Sequence, residues 1–272
     1  MRSTAVRRTA LAASAAALAL LVTACGGSSD DDGAAEGDKA KADRSAPAGG
    51  DKGEAGESAP AGDALTAAEL EKVALAQADV KNGEVTSEIP ADEDIAKDQV
   101  STDGKACLPL AHAQAAVAQG EPAADVKRSW TGQTETESEG SGPDGQDMTE
   151  ISVDMVRLNV ASYADGGAEQ ALTELKAAVE QCAGGFTASV GSDKLRVAEV
   201  TTTAAPEGGD EGFAATLGVD IGKDANAPMK VVVVRKGATI ASFSAANLSS
   251  MATGADFEVP AAVIDAQIAK LG

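Results

Sequence analysis

Hydrophobic and polar positions divide this chain into three stretches. Behind Arg2, Arg7 and Arg8, residues 9–24 carry no charge and are rich in Ala and Leu. Residues 26–63 then contain no Val, Ile, Leu, Met, Phe, Trp or Tyr. From residue 64 onward the bulky apolar residues return, at spacings that specify elements. Thr66-Ala-Ala-Glu69 ahead of Leu70, Val73 and Leu75 is a capping-box signature and predicts a helix from about Ala67. Residues 80–105 read as extended chain and loop. An Ala-rich helix is expected over 109–119, ended by Gly120. Ala168, Ala171, Leu172, Leu175, Val179 and Cys182 recur at spacings of three and four, which predicts a helix over 168–182 with one apolar face. A further helix follows Pro260, with Ile264, Ile268 and Leu271 on one side.

Strands fill the intervals between these helices. The pattern predicts them at 124–130, 150–163, 195–203 and 213–221, with 131–149 as a long acidic hairpin loop. Ile151, Val153 and Met155 alternate in one phase, and Val156, Leu158 and Val160 in the other. Such a shift marks either a bulge or a strand buried on both faces. Val231 to Val234 read as a central strand, turned at Lys236-Gly237 into a partner over 238–247. Helices at both ends and in the middle, with hairpins between, predict an α+β domain: a mostly antiparallel sheet with three to four helices packed on it.

The first stretch is an address. A basic start, 16 uncharged residues and a small-residue close describe a secretory signal, since a spanning helix needs 18 or more. Val22-Thr23-Ala24-Cys25 matches a bacterial lipobox, in which the Cys thiol receives palmitate-like acyl chains and becomes the mature N-terminus. An ordinary secretory signal with an incidental Cys, or an uncleaved anchor, is the alternative. Two acyl chains give the stable anchoring that one does not, at about 0.8 kcal/mol per buried methylene. Residues 1–24 are therefore assigned as signal peptide, with Cys25 as the lipidation site. Residues 25–63 form an acidic Gly/Ala/Asp linker with nothing to bury, so they are expected to be disordered. The folded domain is assigned to 64–272, and the protein to the extracytoplasmic face of the cell membrane.

Composition narrows the chemistry. The 272 residues carry a net charge of −21, and residues 64–272 alone account for −18. That sign repels phosphate backbones, and no basic stripe or aromatic platform exists for nucleic acid. His112 is the single imidazole, on an Ala-rich helix, and reads as structural. No Gly-x-Ser-x-Gly elbow supplies a nucleophile for it. Asp92, Glu93, Asp94, Asp98 and Asp103 resemble a calcium loop only loosely, because Lys97 takes the glycine position and no Glu closes the loop. The Gly-rich stretches 139–145 and 207–212 are acidic, the wrong sign for cradling phosphate. Arg157 and Arg235 interrupt apolar strands, either at an exposed face or paired with carboxylates lining a cleft. No catalytic residue, cofactor or metal is assigned. With Cys25 acylated, only Cys107 and Cys182 remain, and an exported chain meets an oxidising compartment. A disulfide between them is expected, with two buried free thiols as the alternative.

Several of these features together resemble a known family. They are the capped N-terminal helix, Cys107-Leu108, the strand bearing Ser129-Trp130, and a helix ending in Cys182-Ala183-Gly184. A Val-rich hairpin and a C-terminal helix with Gln267, Ile268, Lys270 and Leu271 complete the set. This order is similar to the PknH-like extracytoplasmic sensor domains of mycobacterial Ser/Thr kinases and their lipoprotein relatives in actinobacteria. The resemblance implies an antiparallel sheet with helices around a ligand-binding cleft, and its first Cys pair falls on Cys107 and Cys182. The second disulfide of that family has no counterpart, since no Cys follows residue 182. The expected function is a non-enzymatic, membrane-anchored sensor-like module binding a small-molecule, lipid or cell-wall ligand. The alternatives are an envelope scaffold that binds a protein partner and a carboxylate-based cell-wall hydrolase.

Overall fold

The computed structural model describes residues 64–138, 148–222 and 225–271. The signal, Cys25 and the linker to residue 63 lie outside the described residues. Nine strands form one sheet: β1 (Glu84–Thr86), β2 (Val100–Thr102), β3 (Ala124–Ser138), β4 (Met148–Ser162), β5 (Phe186–Val190), β6 (Asp193–Thr203), β7 (Glu211–Gly222), β8 (Ala225–Lys236) and β9 (Thr239–Asn247). Their order across the sheet is β1-β3-β4-β9-β8-β7-β6-β5-β2, and every neighbouring pair is antiparallel. Among the described residues five α-helices accompany it: α1 (Ala67–Val73), α2 (Leu108–Gln114), α3 (Gly167–Gln181), α4 (Leu248–Thr253) and α5 (Ala261–Lys270). The α+β expectation therefore holds.

The two faces of the sheet are covered by different helices. On one, Leu110 of α2 and Ala168, Ala171, Leu172 and Leu175 of α3 pack against Phe186, Val197, Leu217, Val231 and Val233. On the other, Leu70 of α1 and Val263, Ile264 and Ile268 of α5 pack against Val156, Leu158, Val160, Val232, Val234 and Phe243. Odd and even residues of β8 thus enter separate cores, which is why Val231 to Val234 form an unbroken apolar run. The phase shift in β4 has a different cause: Ile151 and Met155 alternate onto the face opposite Val156 and are exposed there. Its register with β3 and β9 is continuous, so no bulge is present, and Val156, Leu158 and Val160 face the second core while Ala161 faces the first.

Three boundaries differ from the sequence reading. The expected loop over 131–149 is mostly strand: β3 and β4 stay paired out to Ser138 and Met148, and only 139–147 lies outside the described residues. The run Thr134-Glu-Thr-Glu-Ser138 carries no apolar alternation, so no strand period is visible there. Helix α2 ends at Gln114, not Gln119. Ala116 turns to a positive φ of 53°, while the Ser244 hydroxyl and the Val117 N–H satisfy the carbonyls of Gln114 and His112. Short strands β1 and β2, the strand β5 and the helix α4 have no counterpart among the expected elements. β1 and β2 are three residues each and sit on the sheet edges, too short to carry a period.

Local chemistry behaves as the sequence suggests elsewhere. The Glu69 carboxylate accepts hydrogen bonds from the Thr66 backbone N–H at 2.9 Å and from its hydroxyl at 2.7 Å. Asn247 caps α4 by accepting from the Ser250 N–H at 2.9 Å. Gln267, fully buried on α5, accepts from the Leu75 N–H and donates to the Val73 carbonyl, both at 2.8 Å. It thereby ties the end of α1 to α5 across 194 residues of chain.

Candidate functional site

A cleft of about 880 Å³ opens on the α1/α5 side of the sheet. Three strands build its floor: β3 contributes Trp130, β4 contributes Ser152 and Asp154, and the end of β9 contributes Asn247. Two further segments border it, the turn Asp79–Asn82 after α1 and the link 255–260 between α4 and α5. Its position follows from the helix layout. The link between α4 and α5 carries no helix, so this border of the cleft is extended chain beside Ser249, Ser250 and Thr253 of α4.

Trp130 is held by its surroundings. Its indole Nε1 donates to the Asn82 carbonyl at 2.9 Å. Two glycines make room for the ring: a Cβ on Gly132 would stand 2.2 Å from its Cη2, and one on Gly83 would stand 2.4 Å from its Nε1. Gly83 also has φ +79°, a conformation side chains disfavour. Beside the indole, Asn247 Nδ2 donates to Ser152 Oγ at 2.6 Å and to Asp154 Oδ1 at 2.7 Å. The buried Asp154 side chain thus has a hydrogen-bond donor beside it, as a buried polar group requires.

Ion pairs fix the borders. Lys270 of α5 meets Asp79 at 2.6 Å, and Lys230 of β8 meets Asp256 at 2.9 Å, with its ammonium 5.2 Å from the Phe257 ring centroid. The lysine hydrogen bonds hold both carboxyls below the ordinary carboxylate range. At neutral pH both are therefore ionised and partnered.

The residues singled out by sequence are dispersed. Cys107 and Cys182 are joined, with Cα atoms 5.8 Å apart, and the bond links the start of α2 to the end of α3 on the other side of the sheet from the cleft. His112 is buried on α2, and burial, aided by the nearby Lys97, lowers its pKa to about 4. The acidic run does not converge: Asp94 pairs with Lys127 at 2.6 Å, Glu93 with Arg157 at 3.5 Å, and Asp103 accepts from the Thr187 N–H at 3.1 Å. Among the described residues no cluster of His, Cys, Asp or Glu is suited to a metal ion. Arg235 is half-buried among Glu169, Asp210 and Glu211, each at 3.6 Å, a pairing that fastens the 205–212 loop and α3 to β8. A second depression of about 510 Å³, near β3, carries Lys97, Lys127 and Arg128. Each is already matched to a carboxylate, of Glu121, Asp94 and Glu71 respectively.

The sequence reading did not reach the cleft residues. Trp130 stood out as a strand end and, with Ser129, as part of the family resemblance, but not as a cleft residue, and Ser152, Asp154 and Asn247 read as ordinary strand polars. The available signal was the pattern Trp130-x-Gly132 together with a buried-face Asp in β4, where alternation calls for an apolar residue.

No protein-family model matches the chain. No curated protein matches its sequence. Among solved structures, it is similar to the extracellular domain of PknH from Mycobacterium tuberculosis, at 10% sequence identity and a TM-score of 0.31, over 68% of this chain and 96% of that one. No described helix is long and apolar enough to cross a membrane.

Proposed function

We propose that this protein is a membrane-anchored extracytoplasmic lipoprotein of actinobacterial type, whose 64–272 domain is a non-catalytic sensor-like module that binds an envelope ligand. The observation that carries the binding role is the cleft around Trp130, large enough for a small molecule and floored by a rigidly held aromatic ring and hydrogen-bonded polar groups. The lipobox at Cys25 and the polar linker support the anchored placement, and the Cys107–Cys182 bond suits an oxidising compartment. A carboxylate-based hydrolase is the weaker reading. Glycosidic cleavage needs one carboxyl kept protonated by a raised pKa, and the cleft's Asp79 and Asp256 are shifted the other way.

Trp130 is the chain's single tryptophan, so its emission reports on the cleft directly. Titration with envelope extract fractions is expected to give a saturable change in that emission; fractions that bind without moving it would remove the cleft from the function. For the anchor, Cys25→Ala is expected to shift the protein from the membrane to the soluble fraction and to abolish acyl labelling. Unchanged fractionation would defeat the lipoprotein assignment.

A specific observation favours a second reading, a partner-binding lipoprotein. Ile151 and Leu248 are 55% and 54% exposed, and Met155 and Met251 are exposed as well. Charge substitution at Ile151 and Leu248 would abolish co-purification of an envelope protein on that reading and leave Trp130 emission untouched.

A further inference from the structure

The cleft has a chemical bias that goes beyond the existence of a site, and the following rests on the binding role proposed above. Its charged groups are mostly committed within the protein. Asp79 and Asp256 are matched by Lys270 and Lys230, and Asp154 receives the Asn247 amide. One further charge of each sign, Lys81 and Glu258, lies exposed at the border. Besides Lys81 and Glu258, side chains with hydrogen-bonding capacity not committed to a partner among the described residues include the uncharged Asn82, Gln133 and Ser249. Between them stand apolar surfaces: Val80 and Val259, both half-buried, and the small exposed parts of the buried Trp130 and Phe257.

Each ligand class meets a different fate in this arrangement. An anion finds no unpaired cation cluster and enters the field of a domain carrying −18. A cation must compete with lysines already seated on Asp79 and Asp256. A lipid chain would cover Asn82, Gln133 and Ser249 and leave their donors and acceptors without partners, which is costly on burial. A neutral, hydroxyl-rich ring fits best. Its C–H groups pack on the aliphatic walls and the exposed edge of the indole, and its hydroxyls exchange hydrogen bonds with the carboxamides and the serine. The geometry points to a neutral carbohydrate as the ligand, held by Gln133, Ser249 and Asn82 against Trp130.

The test uses the full acylated chain in detergent, with calorimetry and Trp130 emission read in parallel. The probes are neutral di- and tetrasaccharides of glucose, galactose, mannose and N-acetylglucosamine; glucose 6-phosphate and phosphatidylglycerol vesicles as anions; and spermine as a cation. At least one neutral saccharide is expected to bind with a saturable change in emission. Gln133→Ala combined with Ser249→Ala is expected to weaken it about tenfold or more, the scale of one to two neutral hydrogen bonds, with the unfolding temperature unchanged. An emission change with the anionic or cationic probes alone overturns the carbohydrate assignment and leaves the cleft as the binding site. Saccharide binding that moves neither Trp130 emission nor, in the double variant, the affinity overturns the cleft and leaves a carbohydrate ligand. Absence of heat and emission change with every saccharide overturns the proposal outright.

Discussion

The two faces of the sheet are built by opposite strategies. Under α2 and α3, Ala111, Ala113, Ala168, Ala171 and Ala178 pack among Leu172, Tyr163, Phe186 and Phe213, and the Cys107–Cys182 bond closes that face covalently. The α1/α5 face has no such bond. Its core includes Trp130, Phe243, Phe257 and Leu70, and its cross-links are polar, Gln267 to α1 and the pairs Lys270–Asp79 and Lys230–Asp256. One face therefore supplies stability and the other keeps an opening. In a chain poor in aromatics, at 2% of its residues, the covalent constraint lies on the face that has no cleft.

Cutting the clamp tests this division most severely. Replacing Cys107 and Cys182 by Ser releases a constraint spanning 75 residues, and is expected to cost about 4 kcal/mol on the chain-entropy account. In thermal denaturation that corresponds to a fall of roughly 8–15 °C for a domain of this size. Trp130 emission in the folded variant should not move. If it does, the faces are coupled and the division fails.

His112 probes the same face by pH. It is buried in the neutral form with a pKa lowered to about 4, while the unfolded chain titrates near 6.5. The fold therefore binds fewer protons than the unfolded state between those values. The associated stability is complete above pH 6.5 and is lost as pH falls to about 4, by roughly 3 kcal/mol. His112→Gln should flatten the stability curve across that interval. The depressed carboxyls of Asp79, Glu211 and Asp256 act lower, as pH falls through their own ranges, so the two contributions separate on one acid titration.

How far this contrast could be read beforehand depended on whether the signal was periodic. α3 and α5 were legible because Leu172, Leu175 and Val179, or Ile264 and Ile268, repeat at helical spacing with caps at the ends. β8 and β9 were legible from Val231 to Val234 and the Lys236-Gly237 turn. The disulfide followed from counting. The cleft did not show, because it is assembled from non-periodic links, Asp79–Asn82 and 255–260, that acquire meaning only when β1 and β3 pair and bring Asn82 to Trp130. Nor did Asp154 stand out, since its burial depends on Asn247 arriving from β9, 93 residues later.

On the cleft face, smaller effects are expected. Gln267→Leu keeps the volume but removes both hydrogen bonds to α1, leaving the Leu75 N–H and the Val73 carbonyl unpaired in the core. A loss of about 2 kcal/mol is expected in denaturant unfolding. Amide exchange should show the loss concentrated in residues 67–75 and absent from α3. Uniform loss across both faces would mean that the polar cross-links stabilise the whole sheet and not one side of it.

The finest test is a single methyl group. Gly132→Ala places a Cβ where the Trp130 ring now lies, 2.2 Å from Cη2, and the strand backbone cannot retreat because β4 and β1 flank it. The ring must tilt toward the open cleft instead. That outlet keeps the cost at roughly 1–2 kcal/mol, the lower part of the overpacking range. The tilt should stretch the Nε1 bond to Asn82 and shift Trp130 emission to longer wavelength as the indole meets water. A similar Cβ on the clamped face would have no such outlet. If Gly132→Ala leaves emission unchanged while destabilising the domain by several kcal/mol, the indole has no open space beside it, and this face is as closely packed as the other.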